Sequence, residues 1–281
     1  MKLAVTGSLK AGENAPIIYR GAYETILPMM REDGFEAVEM HILDSREIDR
    51  AKLNMELEKN QMTLTSIGTG AAYGAWHLNI ADHDENIRKR AIEILREHMI
   101  TAAPYGGVII IGSMQGKFKD AGSPKEFVGH VEESLDILDR LAQEYGVSIG
   151  YELMNHYESD FLHRIEDGVR FLKEHNYKNV GLHIDLVHMN IDESDMGAAI
   201  RNGGKWINHV HIADNDRYYP GHGHIQFREI FQALKDIGYD GALALEIFSK
   251  PEARFCARKS RDYMRFMLEE VYGSEKGQEI C

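Results

Sequence analysis

Residues 180–185 read VGLHID, a short apolar run that ends in the carboxylate of Asp185. A run of this length, bounded by polar residues, is typical of a strand that is buried on both faces of a parallel sheet. Seven similar runs occur along the chain, and polar loops and stretches with apolar residues at helical spacing lie between them. This alternation indicates repeated βα units around one parallel sheet.

Eight strand candidates recur at a spacing of about 35 residues, which is close to what one strand, one helix and two loops require in a (β/α)8 barrel. They are Leu3 to Thr6, Ala37 to Ile42, Thr63 to Ile67, Val108 to Ile111, Val147 to Glu152, Val180 to Asp185, Ile207 to Ile212 and Ala242 to Ile247. No shift in composition marks a domain boundary. We therefore expect an α/β fold, a single (β/α)8 TIM-barrel domain over residues 1–281, with its active site at the C-terminal ends of the strands.

The sequence signals for helix starts and helix ends agree with this division. Ser123 followed by Pro124 predicts a helix start, with a capping residue and proline at the first helical position. Glycines that follow a helical pattern and precede a strand predict left-handed helix ends, and these are Gly34, Gly106, Gly146 and Gly238. The connection from Gly68 to Asp84 has no clear pattern, and we expect it to form a lid or a substrate wall.

Composition excludes several classes of protein. The chain has 281 residues and a formal net charge of -13, so its field repels nucleic acid and anionic membrane surfaces. No apolar run approaches the roughly 20 residues of a membrane span, and Met1 leads straight into a strand candidate without a signal peptide. Cys256 and Cys281 have neither disulfide nor zinc spacing. We expect a cytoplasmic protein.

Ionisable residues end the last four strand candidates: Glu152, Asp185, His211 and Glu246. An acid at a strand end is usually just solvated, but four successive units with such an ending favour a shared site, because these ends converge at the mouth of a barrel. Crowded carboxylates repel one another unless a cation is present. Oxygen ligands with one imidazole suit manganese first, with magnesium or cobalt as alternatives.

Two more histidines share faces with these ligand candidates. His209 and His183 lie two residues before His211 and Asp185 on their strands, so we expect them one layer deeper in the barrel. His209 is predicted to be hydrogen-bonded in the core rather than bound to the metal. The glycine-rich segments match no phosphate or dinucleotide motif, which predicts an unphosphorylated substrate and no organic cofactor.

The motifs around these residues resemble the xylose-isomerase-like barrel superfamily. They are most similar to ketose 3-epimerases, such as tagatose and allulose epimerases, and to 5-keto-gluconate epimerases. The segments that carry the resemblance are Ile67 to Gly70 with Tyr73, Glu152 to Glu158, Asp185 to Asn190, His211 to Arg217, Pro220 to Gly223, and Leu245 to Glu246. The resemblance implies one divalent metal on Glu152, Asp185, His211 and Glu246.

The resemblance also implies roles for other side chains. Glu152 and Glu246 would move the proton, while Glu158, His188 and Arg217 would contact substrate oxygens. His222 and His224 depart from the residues common in that loop of the family, which leaves the identity of the substrate open. The partner is expected to be a small keto sugar or keto acid, and the chain is expected to form a homo-oligomer, either a dimer or a tetramer.

Inversion of a carbon beside a carbonyl requires one base to remove the proton and a second group to return a proton on the other face. Glu152 and Glu246 are therefore predicted to act as the pair, through an enediolate. Three alternatives on the same scaffold remain: another sugar isomerase, a dehydratase, or a lyase that cleaves C-glycosides. A sugar-binding barrel without activity is an alternative of a different class, although it would not need both glutamates.

Overall fold

The computed structural model describes residues 1–273, so Cys281 lies outside the described residues. Within this range the strands are β1 Lys2–Ser8, β2 Tyr19–Arg20, β3 Ala37–His41, β4 Thr63–Gly68, β5 Val108–Ile111, β6 Ser148–Glu152, β7 Val180–Asp185, β8 Ile207–Ile212 and β9 Ala242–Leu245. All except β2 correspond to the predicted strands, with ends that differ by at most two residues. The short β2 is an addition that pairs with β1.

The strands form a closed barrel. They are parallel and follow the order β1, β3, β4, β5, β6, β7, β8, β9, and β9 pairs again with β1. Ala4 of β1 lies opposite Ala37 on one side and Ala244 on the other. The predicted (β/α)8 barrel is confirmed.

The α-helices described for residues 1–273 surround this barrel. They are α1 Tyr23–Glu32, α2 Arg50–Lys59, α3 Gly70–Trp76, α4 Glu85–Ala102, α5 Phe118–Ala121, α6 Pro124–Tyr145, α7 Ile165–His175, α8 Leu186–Asp192, α9 Met196–Gly203, α10 Phe227–Asp236 and α11 Ala253–Tyr272. Within the same range, no helix is both long and apolar enough to cross a membrane. Cys256 is buried in α11.

Helix ends follow the sequence signals. The Oγ atom of Ser123 accepts a hydrogen bond from the amide of Glu126, and Pro124 is the first residue of α6, as predicted. Gly146, which ends α6, has a φ of 66°, where a side chain would be strained. The other predicted glycines, Gly34, Gly106 and Gly238, also have positive φ. The connection after β4 is more regular than expected, because α3 forms within it and ends at His77 in the left-handed region.

Successive side chains along each strand point alternately to the apolar core under the helices and to the interior of the barrel. Val38 and Met40 of β3 belong to the large apolar core, whereas Ala37, Glu39 and His41 lie on the opposite face of the strand. Ala37 belongs with Ala4 and Ala244 to a small separate cluster. Small and ionisable residues thus share the other face, and the ionisable ones lie toward the C-terminal ends of the strands.

Candidate active site

The four predicted ligands meet at the C-terminal end of the barrel. Glu152 and Asp185 are the last residues of β6 and β7. His211 lies in β8, and Glu246 directly follows β9. Atoms of Glu152, Asp185 and His211 that could bind a metal lie within 4.8 Å of one another. Glu246 faces the same group, because its Oε2 atom lies 3.4 Å from Nδ1 of His211.

The donor atoms of this cluster fit a divalent cation. Nδ1 of His211 is buried and has no hydrogen-bond partner among the described residues. It lies 3.4 Å from a carboxylate oxygen of Asp185 and the same distance from one of Glu246. Carboxylate oxygens with one imidazole form a ligand set for manganese, magnesium or cobalt rather than for a metal that prefers thiolates. The residues therefore fit the metal that their motifs imply.

Arg217 lies against the carboxylates of the cluster. Its Nη1 lies 2.5 Å from Oδ2 of Asp185, and its Nη2 contacts Oε2 of Glu246. The residue has a φ of 65°, and its amide donates to the carbonyl of Asp214 while its own carbonyl accepts from Phe248. The backbone therefore holds the guanidinium over the site, where it neutralises part of the carboxylate charge.

Glu39 is a buried carboxylate that the sequence interpretation missed. It accepts hydrogen bonds from Ser66 at 2.6 Å, His209 at 2.8 Å, and His211 and His41 at 2.9 Å each. Its side chain is fully buried. An acid within an otherwise apolar strand is the signal that the sequence offers, but Glu39 lies inside β3 and not at its C-terminal end. Glu39 holds the imidazole of His211 by Nε2 and so turns Nδ1 toward the carboxylates.

The two deeper histidines lie where the sequence predicts. His209 is buried and is hydrogen-bonded to Glu39. His183 is also buried, and its ring meets that of His211 edge-on at 4.1 Å between centroids. Burial and the neighbouring charge of His211 hold the pKa of His183 well below its usual range. His183 is therefore a neutral ring that supports His211 from below.

Opposite charges set the ionisation of the cluster. Burial raises the pKa of Glu39. The charge of His211 and the hydrogen bonds that Glu39 accepts from its histidine neighbours outweigh burial, and they hold the pKa of Glu39 well below its usual range. Burial lowers the pKa of His211, but the charges of the Glu39 and Asp185 carboxylates raise it to about 10. Burial raises the pKa of Glu152, yet the hydrogen bond from His188 and nearby histidine charges lower it to about 2. A cation that binds His211 must therefore replace a proton.

His188 lies in the first turn of α8, close to the carboxylate of Glu152. Its Nε2 lies 3.5 Å from Oε1 of Glu152, and the side-chain amide of Asn155 contacts its Nδ1 at 2.7 Å. With Asn155 as the donor, the proton of a neutral His188 lies on Nε2. Glu158 lies farther out, with Oε1 3.9 Å from Nδ1 of His188. His188 thus belongs to the cluster, and Glu158 lies at its exposed edge.

A glycine after β5 makes room for Glu152. A Cβ atom built on Gly112 would lie 2.0 Å from Oε2 of Glu152. Such a distance is far inside van der Waals contact, so any side chain at position 112 would displace the carboxylate. The glycine directly after β5 therefore leaves the space that the carboxylate of Glu152 occupies.

A cavity of about 230 Å³ with several polar side chains in its wall opens beside this part of the site. Glu158, Met154 and Tyr157 line it from the loop after β6, and Tyr73 and Lys117 line it from the neighbouring loops. The segment from Gly68 to Asp84 therefore contributes to a cavity wall through Tyr73. Met114, in the segment after β5, is fully buried in the core.

Comparisons with known proteins agree with the fold and the motifs. Residues 28–267 match the model of the family described as xylose isomerase-like TIM barrel. The chain is 30% identical over 231 residues to the L-ribulose 3-epimerase of Mesorhizobium japonicum, a match that covers 80% of this chain and 75% of that protein. It is 30% identical over 213 residues to the 3-dehydro-D-guloside 4-epimerase of Escherichia coli strain K12, covering 72% and 81% respectively.

A solved structure of an L-ribulose 3-epimerase matches the fold with a TM-score of 0.83 at 24% identity, and the match covers 98% of this chain and 97% of that chain. The family match includes every strand end that carries Glu152, Asp185, His211 and Glu246. The resemblance that the motifs indicated is confirmed.

Proposed function

Because this chain belongs to the xylose isomerase-like TIM barrel family, we propose that it is a metal-dependent epimerase that inverts a carbon next to the carbonyl of a ketose or ketoaldonate. The isomerase class follows from the relatives, which are named for epimerisation. The observation that carries the proposal is the convergence of two glutamates, Glu152 and Glu246, on the unpaired Nδ1 atom of His211 in the described structure.

Glu152, Asp185, His211 and Glu246 would hold one divalent cation, with manganese as the first choice. When bound, the cation supplies a Lewis acid that stabilises negative charge on a substrate oxygen. Asp185 and His211 have no further role in the proposal. Glu39 keeps the ring of His211 in the orientation that leaves Nδ1 free.

The two glutamates would exchange protons with the substrate carbon. In barrel order β7 and β8 separate β6, which ends in Glu152, from β9, which precedes Glu246, so the two carboxylates approach from different sides. One carboxylate takes the proton from the carbon beside the carbonyl, and the electron pair of that bond forms an enediolate. The other carboxyl group then gives a proton to the opposite face of the same carbon. The bond count is unchanged and only the configuration is inverted.

Three neighbours would orient the substrate. His188 can donate from Nε2 to a substrate oxygen near Glu152, and Asn155 maintains that tautomer. Glu158, which lines the cavity beside the site, can accept from hydroxyl groups. Arg217, which contacts Asp185 and Glu246, would donate to a substrate oxygen beside these carboxylates.

The test is incubation of the manganese-loaded protein with a panel of ketoses and ketoaldonates in D2O, with deuterium incorporation followed by NMR. We expect deuterium at one carbon together with the appearance of its epimer. Asp185→Asn and His211→Ala should lose bound metal by elemental analysis. Full metal occupancy in both variants, or binding of sugars without any exchange, would contradict the proposal and favour a sugar-binding barrel.

A further inference from the structure

A second and more apolar cavity lies at the same end of the barrel. It has a volume of about 410 Å³ and lies beside the C-terminal ends of β1, β3 and β4. Aliphatic side chains, including Leu9, Ile17, Leu43 and Ile48, form much of its wall. The volume lies within the range of about 300–1,000 Å³ that is typical of sites for small organic molecules.

One side chain connects this cavity to the proposed catalytic group. His41 lines the cavity, and its Nε2 lies 3.8 Å from Oε1 of Glu246. The same Nε2 atom lies 2.9 Å from Glu39, which fixes the ring. A Cβ atom on Gly68 would lie 2.6 Å from that ring, so the glycine leaves room for His41 between the cavity and Glu246. The apolar cavity therefore begins one imidazole ring away from Glu246.

The two cavities beside the site differ in chemistry. The smaller one, near Glu158, contains Lys117, Gln115 and Tyr157 and can satisfy sugar hydroxyl groups. The larger one is lined mainly by aliphatic side chains, although Ser8, Asp44 and Glu47 also lie in its wall. A hydroxyl group placed among the aliphatic side chains would lack a partner, at a cost in free energy. An apolar group there would instead be stabilised by removal of its surface from water. The larger cavity is thus suited to a part of the substrate that is not sugar.

We propose that the apolar cavity binds the aglycone of a keto-glycoside, so that the substrate is a sugar ring with a ketone and an apolar aromatic substituent on its anomeric oxygen. This inference rests on the proposed function and names its substrate class. The relative named 3-dehydro-D-guloside 4-epimerase supports it, because its name describes a keto sugar that remains a glycoside. The proton transfer leaves the glycosidic bond intact, so the aglycone serves for recognition alone.

The experiment compares phenyl 3-keto-β-D-glucoside with its methyl counterpart and with free ketoses, by deuterium exchange in D2O on the manganese-loaded protein. We expect kcat/KM for the phenyl compound to exceed that for the methyl compound on the order of 10- to 100-fold, because the ring is buried in the cavity. Equal values for the two glycosides would overturn the aglycone assignment.

A variant that fills the cavity tests the location. Ala75 of α3 lines the cavity and is exposed, so Ala75→Phe should lower kcat/KM for the phenyl compound toward that of the methyl compound and leave the methyl compound unchanged. Ala198→Phe, at an exposed position on α9, is the matched control. Equal loss for both glycosides in Ala75→Phe, with the fold intact, would contradict the proposal.

Binding of unreactive phenyl β-D-glucoside separates this inference from the proposed function. If it binds to the parent and not to Ala75→Phe, while no keto sugar exchanges deuterium, the assignment of the aglycone cavity is supported and the proposed epimerase activity is wrong. If free ketoses exchange deuterium and epimerise, and the phenyl glycoside is not preferred, the proposed epimerase activity is supported and the assignment of the aglycone cavity is wrong. Release of free phenol from the keto-glycoside would identify a lyase that uses the cavity. It would contradict the proposal that the glycosidic bond stays intact.

Discussion

Nε2 of His211 lies 2.9 Å from Oε1 of Glu39, a carboxylate with no exposed side-chain surface. This contact leaves only Nδ1 of the ring to face Asp185 and Glu246. The orientation of one proposed metal ligand is therefore set by a residue on a strand that lies at a distance in sequence.

Glu39→Gln should weaken metal binding, because an amide carries no charge and cannot accept from all of its histidine neighbours at once. Loss of such an outer partner typically costs about 10- to 100-fold in metal affinity. Titration with manganese measures the change, and Glu56→Gln, at a buried glutamate of α2, is the control. Unchanged affinity in Glu39→Gln would show that the imidazole keeps its orientation without the carboxylate.

Glu152→Gln and Glu246→Gln should each abolish epimerisation while the fold persists, since the amide is nearly isosteric but no longer basic. Removal of a positioned acid or base typically lowers the rate by ~10²- to 10⁴-fold. For one epimer, only the variant that retains the abstracting glutamate should exchange deuterium without inversion. If both variants epimerise within a few-fold of the parent and hold metal, another group such as His188 carries the proton.

Gly112→Ala should disable the site through Glu152. The added Cβ would lie 2.0 Å from the carboxylate, so the side chain must move, and a displacement of about 1 Å can cost roughly 10²-fold in rate. Gly129→Ala is the control, because a Cβ there meets no described atom within 4 Å. Steady-state kinetics and thermal unfolding distinguish the outcomes: a variant that keeps full activity would mean that Glu152 tolerates another position.

Asp33 joins the first helix to the last. Its buried carboxylate accepts from Tyr19 at 2.5 Å and contacts Arg254 and Arg258 of α11. Burial raises the pKa of Asp33, but the hydrogen bonds from Arg254, Tyr19 and Arg258 outweigh burial and lower it. Because the folded pKa lies below the unfolded value of about 3.9, the stabilisation is complete above that value and is lost as the pH falls through the folded pKa.

Asp33→Asn should therefore lower the free energy of unfolding by roughly 1–3 kcal/mol at neutral pH, since it removes the buried charge that accepts from Tyr19 and Arg254, while the partly exposed arginines remain solvated. The difference from the parent should shrink at acidic pH. Urea unfolding at several pH values measures this, and a difference that does not change with pH would mean that the charge of Asp33 contributes nothing.

The sequence could predict the barrel and the cluster because both depend on local pattern. Alternation with period two puts Glu152 and Asp185 on inward faces, and parallel strands bring their ends together. Glu39 obeys the same alternation but lies within its strand, so only the observed register shows that it reaches His211. The contact of Arg217 with Asp185 depends on a left-handed residue in a loop, for which the sequence offers no glycine as a signal.

The apolar cavity could not have been predicted for a different reason. Its walls come from the loop after β1, from the segment after β3 and from α3, and none of these segments has a pattern that indicates a shared void. Only the packing of the three together creates it.

The first and last strands of the barrel pair with each other, and Thr6 donates to the carbonyl of Leu245, directly before Glu246. We expect a contact between residues this far apart in sequence to form late, because a long loop must close before it is made. The proposed proton carrier Glu246 would then gain its position only at that step. The rate at which activity returns during refolding would therefore measure the closure of the barrel, whereas the rate of helix formation would measure earlier events.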